Sequence, residues 1–472
     1  MWCAQRGHTR VNQQDWVAEE LAALDLGDVR LNKRAELLLS RFGDNPLASI
    51  PAACNGWSET KAAYRFLSHE RVTPERVLEP HFQATRARVA DADVVLCIED
   101  TSEIDYSTKT DIEGLGPLNY EARQGLYLHP MLAVTPDRLC HGLLSWQRII
   151  REPGSLSKKA DPFRPIEEKE SVRWRNGYDQ ASLLARDQPQ TKVVYVADRE
   201  ADFFELLCAK SRNGDGGTTD VNASFVIRSQ HDRTLQNGKK LRESLQRAAV
   251  LGQVEFSVPT RKGRVGRTVL QDLRVLRVTI NAPTHLKDAG PIEVTAVLAR
   301  ERNPPKGEEP ICWILLTSEE IDSGDAAARI LQWYLCRWQI EIFFRILKSG
   351  CKIEELQLED VTRIEPAIAF YCIVAWRVLW LTMIGRSCPE LKCDVVFDTE
   401  EWHAAYLATY RKRPPDKPPT LEAMIKMIAC LGGFLGRKSD GYPGPQTIWA
   451  GLQRVRYTAE GIAIQKAIMD SS

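Results

Sequence analysis

Four residues between 334 and 348 have the types and spacing for chemistry: Tyr334, Arg337, Glu341 and Lys348, in the segment YLCRWQIEIFFRILK. Offsets of three, four and seven put them on one face if the segment is helical. Leu335, Ile340, Phe343, Ile346 and Leu347 fill much of the remainder. The segment therefore predicts an apolar helix with one polar stripe, packed on a sheet and holding an acid over a reaction centre. The same stripe also fits a surface helix in which Arg337 and Glu341 form an ordinary ion pair, worth about 0.3–0.5 kcal/mol.

Two further acids end apolar runs. VVLCIED at 94–100 reads as a buried strand with Asp100 at its tip, and VVYVAD at 193–198 as a second strand ending in Asp198. The amphipathic READFFELLCAK that follows predicts a strand-to-helix junction. One such Asp could simply cap the next helix. Two of them mark the carboxyl ends of strands, where open α/β sheets bind ligands. Together with Glu341 they make an all-oxygen set, suited to Mg²⁺ or Mn²⁺ rather than zinc. Two such ions can activate an attacking water or hydroxyl and stabilise the leaving oxygen at a phosphodiester. The expected chemistry is phosphoryl transfer on nucleic acid, with Tyr334, Arg337 and Lys348 available to hold phosphates. No H-E-x-x-H, G-x-S-x-G or phosphate-cradling Gly-Lys-Ser loop competes with it.

The elements that must position these residues can be read in chain order. Residues 1–75 read as short helices: amphipathic Asp15–Leu26, a break at Gly27-Asp28, a helix over Val29–Phe42, and SETKAAYRFLS with Ser58 as its cap. Arg30, Lys33, Arg34 and Arg41 supply one basic edge, and Lys61 and Arg65 another. Solvated charge on a small bundle explains these as well as DNA contact does. LHPMLAVT (128–135) and HGLLSWQRII (141–150) predict an antiparallel meander turning at Pro136-Asp137, before a polar loop over 151–170. NGDGGTT at 213–219 reads as a flexible loop, and FVIRS (225–229) as a strand ending near Arg228.

From Arg228 to Arg277 there are twelve Lys and Arg against four Asp and Glu, around the turn RKGRVGR. That predicts a basic β-rich insertion able to track phosphates, or else a solvated hairpin. VTAVLARE (294–301) and ICWILLTSE (311–319), with Trp313, return to buried strands. Ala367–Ile384 is the one candidate membrane span, but Arg377 in its middle and Pro366 before it predict a buried helix joining two domains. A basic, proline-rich stretch RKRPPDKPP, an apolar helix over Leu421–Leu435 and a tail irregular up to IWAGLQRV complete the chain.

At 472 residues the chain predicts two to four domains. A formal net charge of zero excludes a global basic field, so any nucleic-acid contact must be local. Twelve scattered cysteines without zinc spacing predict reduced thiols in a reducing, cytoplasmic compartment. The N-terminus shows no apolar secretory segment.

Taken together, the motifs resemble DDE transposases of the insertion-sequence four (IS-four) group, whose signature is a Y-R-E-K pattern. The resemblance runs through LGDVRLNKR (26–34), AAYRFL (62–67), CIEDTS (97–102), ADREAD (197–202), FVIRS, NPPKGE (303–308), WILLTSE (313–319), the Y-x2-R-x3-E-x6-K segment and LGGF (431–434). It implies an α/β (α+β) ribonuclease-H-like catalytic domain over 76–384, with a β-strand insertion at about 229–310. A helical DNA-binding domain (1–75) and a helical dimerisation domain (385–472) would flank it.

By resemblance, Asp100, Asp198 and Glu341 are the catalytic, metal-binding triad for a two-metal Mg²⁺ or Mn²⁺ site. Tyr334, Arg337, Lys348 and Arg228 contact the transposon end, and Trp313 stacks on a flipped base. Arg30, Lys33, Arg34, Lys61 and Arg65 fall in the part that would read the terminal inverted repeat. The implied activity is cut-and-paste transposition by a homodimer acting on double-stranded DNA, both transposon ends and target, without a membrane. The alternatives are a non-transposing DNA-binding regulator or inhibitor acting through dimerisation, or a nuclease without strand transfer.

Overall fold

The computed structural model describes residues 13–109, 112–157, 164–209, 222–258, 266–437 and 440–470. The loop 213–219, the basic turn over 261–265 and the first twelve residues lie outside them.

The apolar runs form the middle of one mixed sheet. Its strands are β1 (Val94–Glu99), β2 (Ser102–Asp105), β3 (Gly116–Pro117), β4 (Gln124–Val134), β5 (Cys140–Ile149), β6 (Lys192–Ala197), β7 (Ser224–Arg228), β8 (Val250–Val258), β9 (Arg267–Ile280), β10 (Ile292–Glu301) and β11 (Cys312–Thr317). The order is β2-β4-β1-β6-β7-β11-β10-β9-β8, with β3 and β5 joined to β4. β1, β6 and β7 are parallel to one another. All other pairings are antiparallel.

The central strands are apolar throughout because both faces are covered. Leu96, Ile98, Val194 and Val196 belong to a core shared with helices Gly324–Cys336 and Val361–Ser387. Val95, Cys97, Val193 and Tyr195 pack on the other side with helix Val172–Asp187. This is a ribonuclease-H-like core with helical N- and C-terminal regions. The basic insertion does not stand apart from it. β8, β9 and β10 continue the same sheet, and the insertion adds a helix, Leu241–Arg247, that the sequence pattern did not announce.

Several local expectations are corrected. The first helix is Gln13–Glu20 and stops well short of Leu26. The helix expected to be capped by Ser58 begins at Trp57, after Gly56 at φ 86°. No long helix follows Asp198. Instead a 3-10 turn, Arg199–Ala201, leads to a single helical turn, Phe204–Leu207. The reason is Asp202, whose buried carboxylate accepts from the backbone N–H groups of Gln230 (2.6 Å) and His231 (3.1 Å) and pairs with Arg233 (2.6 Å). These bonds tie the chain to the segment after β7. The tail, expected to be irregular up to IWAGLQRV, is helical already from Pro445, and the buried Ile448 and Trp449 of helix Pro445–Asp470 join the core packed around helix Leu421–Leu431.

Helix Val361–Ser387 is long and apolar enough to cross a membrane, yet 89 % of its most apolar window is buried inside the protein. The Arg377 guanidinium lies over the rings of Trp380 (4.6 Å) and Trp16 (5.4 Å). A charged group is held there by aromatic faces, as suits an interior helix.

A polar hub ties the first helix to the sheet. The Leu143 N–H donates to His81 Nε2 (3.0 Å), so the His81 proton sits on Nδ1 and goes to Glu20 Oε2 (2.5 Å). Arg88 donates to the same carboxylate (2.5 Å) and to the His141 carbonyl (2.7 Å). Burial pushes the Glu20 carboxyl up, but His81 and Arg88 together hold it below the usual range.

Candidate active site

Register brings the strand-end residues together. β1 and β6 pair from Val94↔Lys192 to Ile98↔Val196, and β6 and β7 pair up to Ala197↔Ile227. The same steps carry Asp100, Asp198 and Arg228 into one row, roughly 4.8 Å apart from strand to strand. Arg228 stands 3.9 Å from Asp198. Asp198 makes no capping hydrogen bond with its side chain, so the helix-cap reading fails for it.

The polar stripe lies over this row, but not on one straight helix. Helix Gly324–Cys336 passes into helix Trp338–Arg345 through Arg337, and Ile346–Gly350 is a π-helical turn. Such turns shift the phase of the residues beyond them and recur at functional sites. Lys348, inside it, pairs with Glu354 (3.1 Å). The Tyr334 hydroxyl donates to Asp198 Oδ1 (3.4 Å). Arg337 donates to Asp100 Oδ2 and to Glu341 Oε1, the second at 3.3 Å. The (i, i+4) pair is therefore present, but it is no surface pair. Arg337 is only 8 % exposed and also binds a carboxylate 237 residues away.

Asp100, Asp198, Glu341 and Lys348 line one open cleft of about 570 Å³, together with Trp338 and Arg345. Neither of the last two was singled out from the sequence. The signal was available, since they lie three before and four after Glu341 on one helical face. Trp313 sits beside the cleft, its ring 6.4 Å from that of Tyr334 and stacked on Phe256 at 5.7 Å. Arg242 and Arg300, both in the basic insertion, stand near Cys312. The N-terminal cations are elsewhere. Arg30, Lys33, Lys61 and Arg65 are exposed and Arg34 is half-buried. Arg30 pairs with its neighbour Asp28 (2.9 Å).

Glu99 is a buried acid next to Asp100, and strand alternation turns it to the opposite face. There it accepts from the Tyr195 hydroxyl (2.7 Å) and lies 3.4 Å from His129. Gly177 makes the room, since a Cβ at that position would collide with the Glu99 carboxylate.

Burial lifts Asp100 from the ordinary 3.8 to about 6, against the pull of Arg337, and the charges of Glu341 and Asp198 add to the rise. Among the described residues no three His, Cys, Asp or Glu side chains are already gathered to grip one metal ion. Arg337 stands between Asp100 and Glu341 and holds both. The donor chemistry nevertheless fits a hard divalent cation. It offers three carboxylates on an open cleft, one of them raised by burial despite its Arg337 partner.

A stability prediction follows from Asp100. Its value is raised on folding, so the folded chain keeps a proton that the unfolded chain loses between about pH 4 and pH 6. Stability from this group is present below that window, falls as pH rises through it, and is gone at pH 7. Asn mimics the protonated acid. Asp100→Asn is therefore expected to stabilise the metal-free protein at pH 7 by up to ~3 kcal/mol. The gain should vanish near pH 4. Thermal unfolding at the two pH values checks it, and an equal change at both would refute the assignment.

Two family models match the chain. One described as Transposase DNA-binding covers residues 13–72, and one described as Transposase Tn5 dimerisation domain covers residues 373–471. The second match begins inside helix Val361–Ser387. With the ribonuclease-H-like core between them, these regions define a DNA transposase whose partners are DNA and a second copy of itself. Both matches support a Tn5-like transposase of the insertion-sequence four family.

Proposed function

We propose that the protein is a cut-and-paste transposase, which hydrolyses DNA at its transposon ends, passes through a hairpin and joins those ends to target DNA by strand transfer. One observation carries this reading. Asp100, Asp198 and Glu341, from distant parts of the chain, line a single cleft. Asp100, Asp198 and Glu341 would hold Mg²⁺ or Mn²⁺. Such ions, when bound, supply an activated water or hydroxyl and charge stabilisation at the scissile phosphate.

The chain's own groups do the rest. Arg337 neutralises Asp100 and Glu341 in the free protein and exchanges them for a DNA phosphate when the substrate enters. Tyr334 and Arg228 orient Asp198, both meeting its Oδ1. Lys348, Arg345 and the basic insertion track the backbone. Residues 13–72 read the terminal inverted repeat, and the C-terminal region pairs two subunits over two ends.

The test is cutting of a duplex that carries the inverted repeat bordering the gene, with and without Mg²⁺. Mg²⁺-dependent nicks at the repeat boundary, followed by joining to a plasmid, are the expected result. Binding without any cutting would replace this reading with that of a regulator.

Trp313 has a separable role in hairpin formation, through stacking on a base turned out of the duplex. A stack of this kind is worth about 1–3 kcal/mol. Trp313→Ala should leave the first nick intact and slow hairpin formation by roughly tenfold or more. Denaturing gels that resolve nick from hairpin read this directly. Equal slowing of both steps would remove the stacking role.

A further inference from the structure

Helix Trp57–Leu67 carries a feature that neither the acid cleft nor the charged residues explain. Trp57 is 78 % exposed, although a tryptophan is normally largely buried. Lys61 and Arg65 follow it at four-residue spacing, and both are exposed. Residues so spaced lie on one helical face, so an indole, an ammonium and a guanidinium form a single outward stripe. The opposite face is committed to the protein, with Ala63, Phe66 and Leu67 in the core. Gly56 ends the preceding turn at φ 86° with open space around it, and no side chain caps the helix. The end that bears Trp57 is therefore the unobstructed one.

A helix that enters the major groove contacts base edges with its N-terminal residues, while cations further along meet the backbone. An apolar side chain in that groove meets the C5-methyl of thymine, and no phosphate. We infer that Trp57 is a sequence-reading residue of the DNA-binding region, packing against thymine methyl groups in the major groove while Lys61 and Arg65 hold adjacent phosphates. This rests on the proposal that residues 13–72 read the transposon end, and adds which side chain reads a base. The partner is duplex DNA by charge complementarity, because the stripe below the indole carries two cations and no acid.

A selection from random sequence tests this without the transposon-end duplex. Full-length protein is taken through rounds of binding to a randomised 30-base-pair duplex pool, as wild type, Trp57→Ala and Lys61→Ala. The best wild-type duplex is then titrated at several salt concentrations. The wild type should select a defined sequence containing T·A pairs. Trp57→Ala should lose preference at one or two adjacent positions, keep the rest of the consensus, and bind the wild-type duplex about 10- to 100-fold more weakly. Its salt dependence should not change, because an indole neutralises no phosphate. Lys61→Ala should do the reverse, keeping the consensus and lowering the log–log salt slope by about 0.9.

A Trp57→Ala pool with the wild-type consensus and affinity would overturn the role given to Trp57 alone. So would a Trp57→Ala protein with the salt slope of Lys61→Ala, or one that melts well below the wild type and loses preference at every position. A wild type that selects no sequence would overturn the reading of residues 13–72 as well.

Discussion

Asp100→Asn, Asp198→Asn and Glu341→Gln should each give a protein that still binds transposon-end duplex and no longer cuts it. Each change keeps the size and a hydrogen-bonding oxygen but removes one negative charge from the cleft. A divalent ion at a phosphodiester contributes several kcal/mol of charge stabilisation in the transition state. Loss of one ligand should therefore slow nicking by on the order of a thousandfold or more. Binding survives because the matched DNA-binding region, residues 13–72, lies outside the cleft. Denaturing gels with Mg²⁺ measure the first quantity and mobility shift the second. Wild-type cutting by any one of the three variants would remove that acid from the proposed triad. A second signature needs no turnover. Mg²⁺ should raise the melting temperature of the wild type, since a ligand that prefers the folded state stabilises it, and should not do so for the variants.

The largest stability loss is expected away from the cleft, at the hub that fastens the first helix to the sheet. Glu20 is 2 % exposed and His81 fully buried, with Arg88 completing the cluster. Removing one partner of a buried pair strands the other charge in a medium that cannot solvate it. Glu20→Ala should thus cost about 3–5 kcal/mol, and Glu20→Gln less, because Gln still accepts a hydrogen bond. Urea unfolding measures both. Arg88 also bonds the His141 carbonyl and lies over Trp376 at 4.5 Å, so Arg88→Ala should be at least as damaging. A cost below about 1 kcal/mol for Glu20→Ala would mean that water replaces the carboxylate and that the hub is not dry.

Much of the core was legible in the sequence because both faces of the parallel strands are buried. That condition forces unbroken apolar runs, and an acid that ends such a run stands out, as Asp100 and Asp198 do. The mobile-element resemblance was carried by motifs of the same kind, short and local. The Asp202 detour was not legible. Its amphipathic spacing predicts a helix, and only the distant N–H groups of Gln230 and His231 divert the chain from one. The pairing of Lys348 with Glu354 is likewise invisible to periodicity, because it forms at a π-helical turn.

Residue types, their spacing and the local apolar pattern pick out the three acids and the reaction they are expected to serve, because that expectation depends on chemistry and on contacts only a few residues long. Which of two neighbouring acids, Glu99 or Asp100, faces the cleft was decided by strand alternation and by the space that Gly177 leaves for the other. That Arg337 bridges Asp100 and Glu341 was likewise a matter of sheet register and helix docking. Such pairings join residues hundreds of positions apart, and only the packed fold brings them within reach of one another.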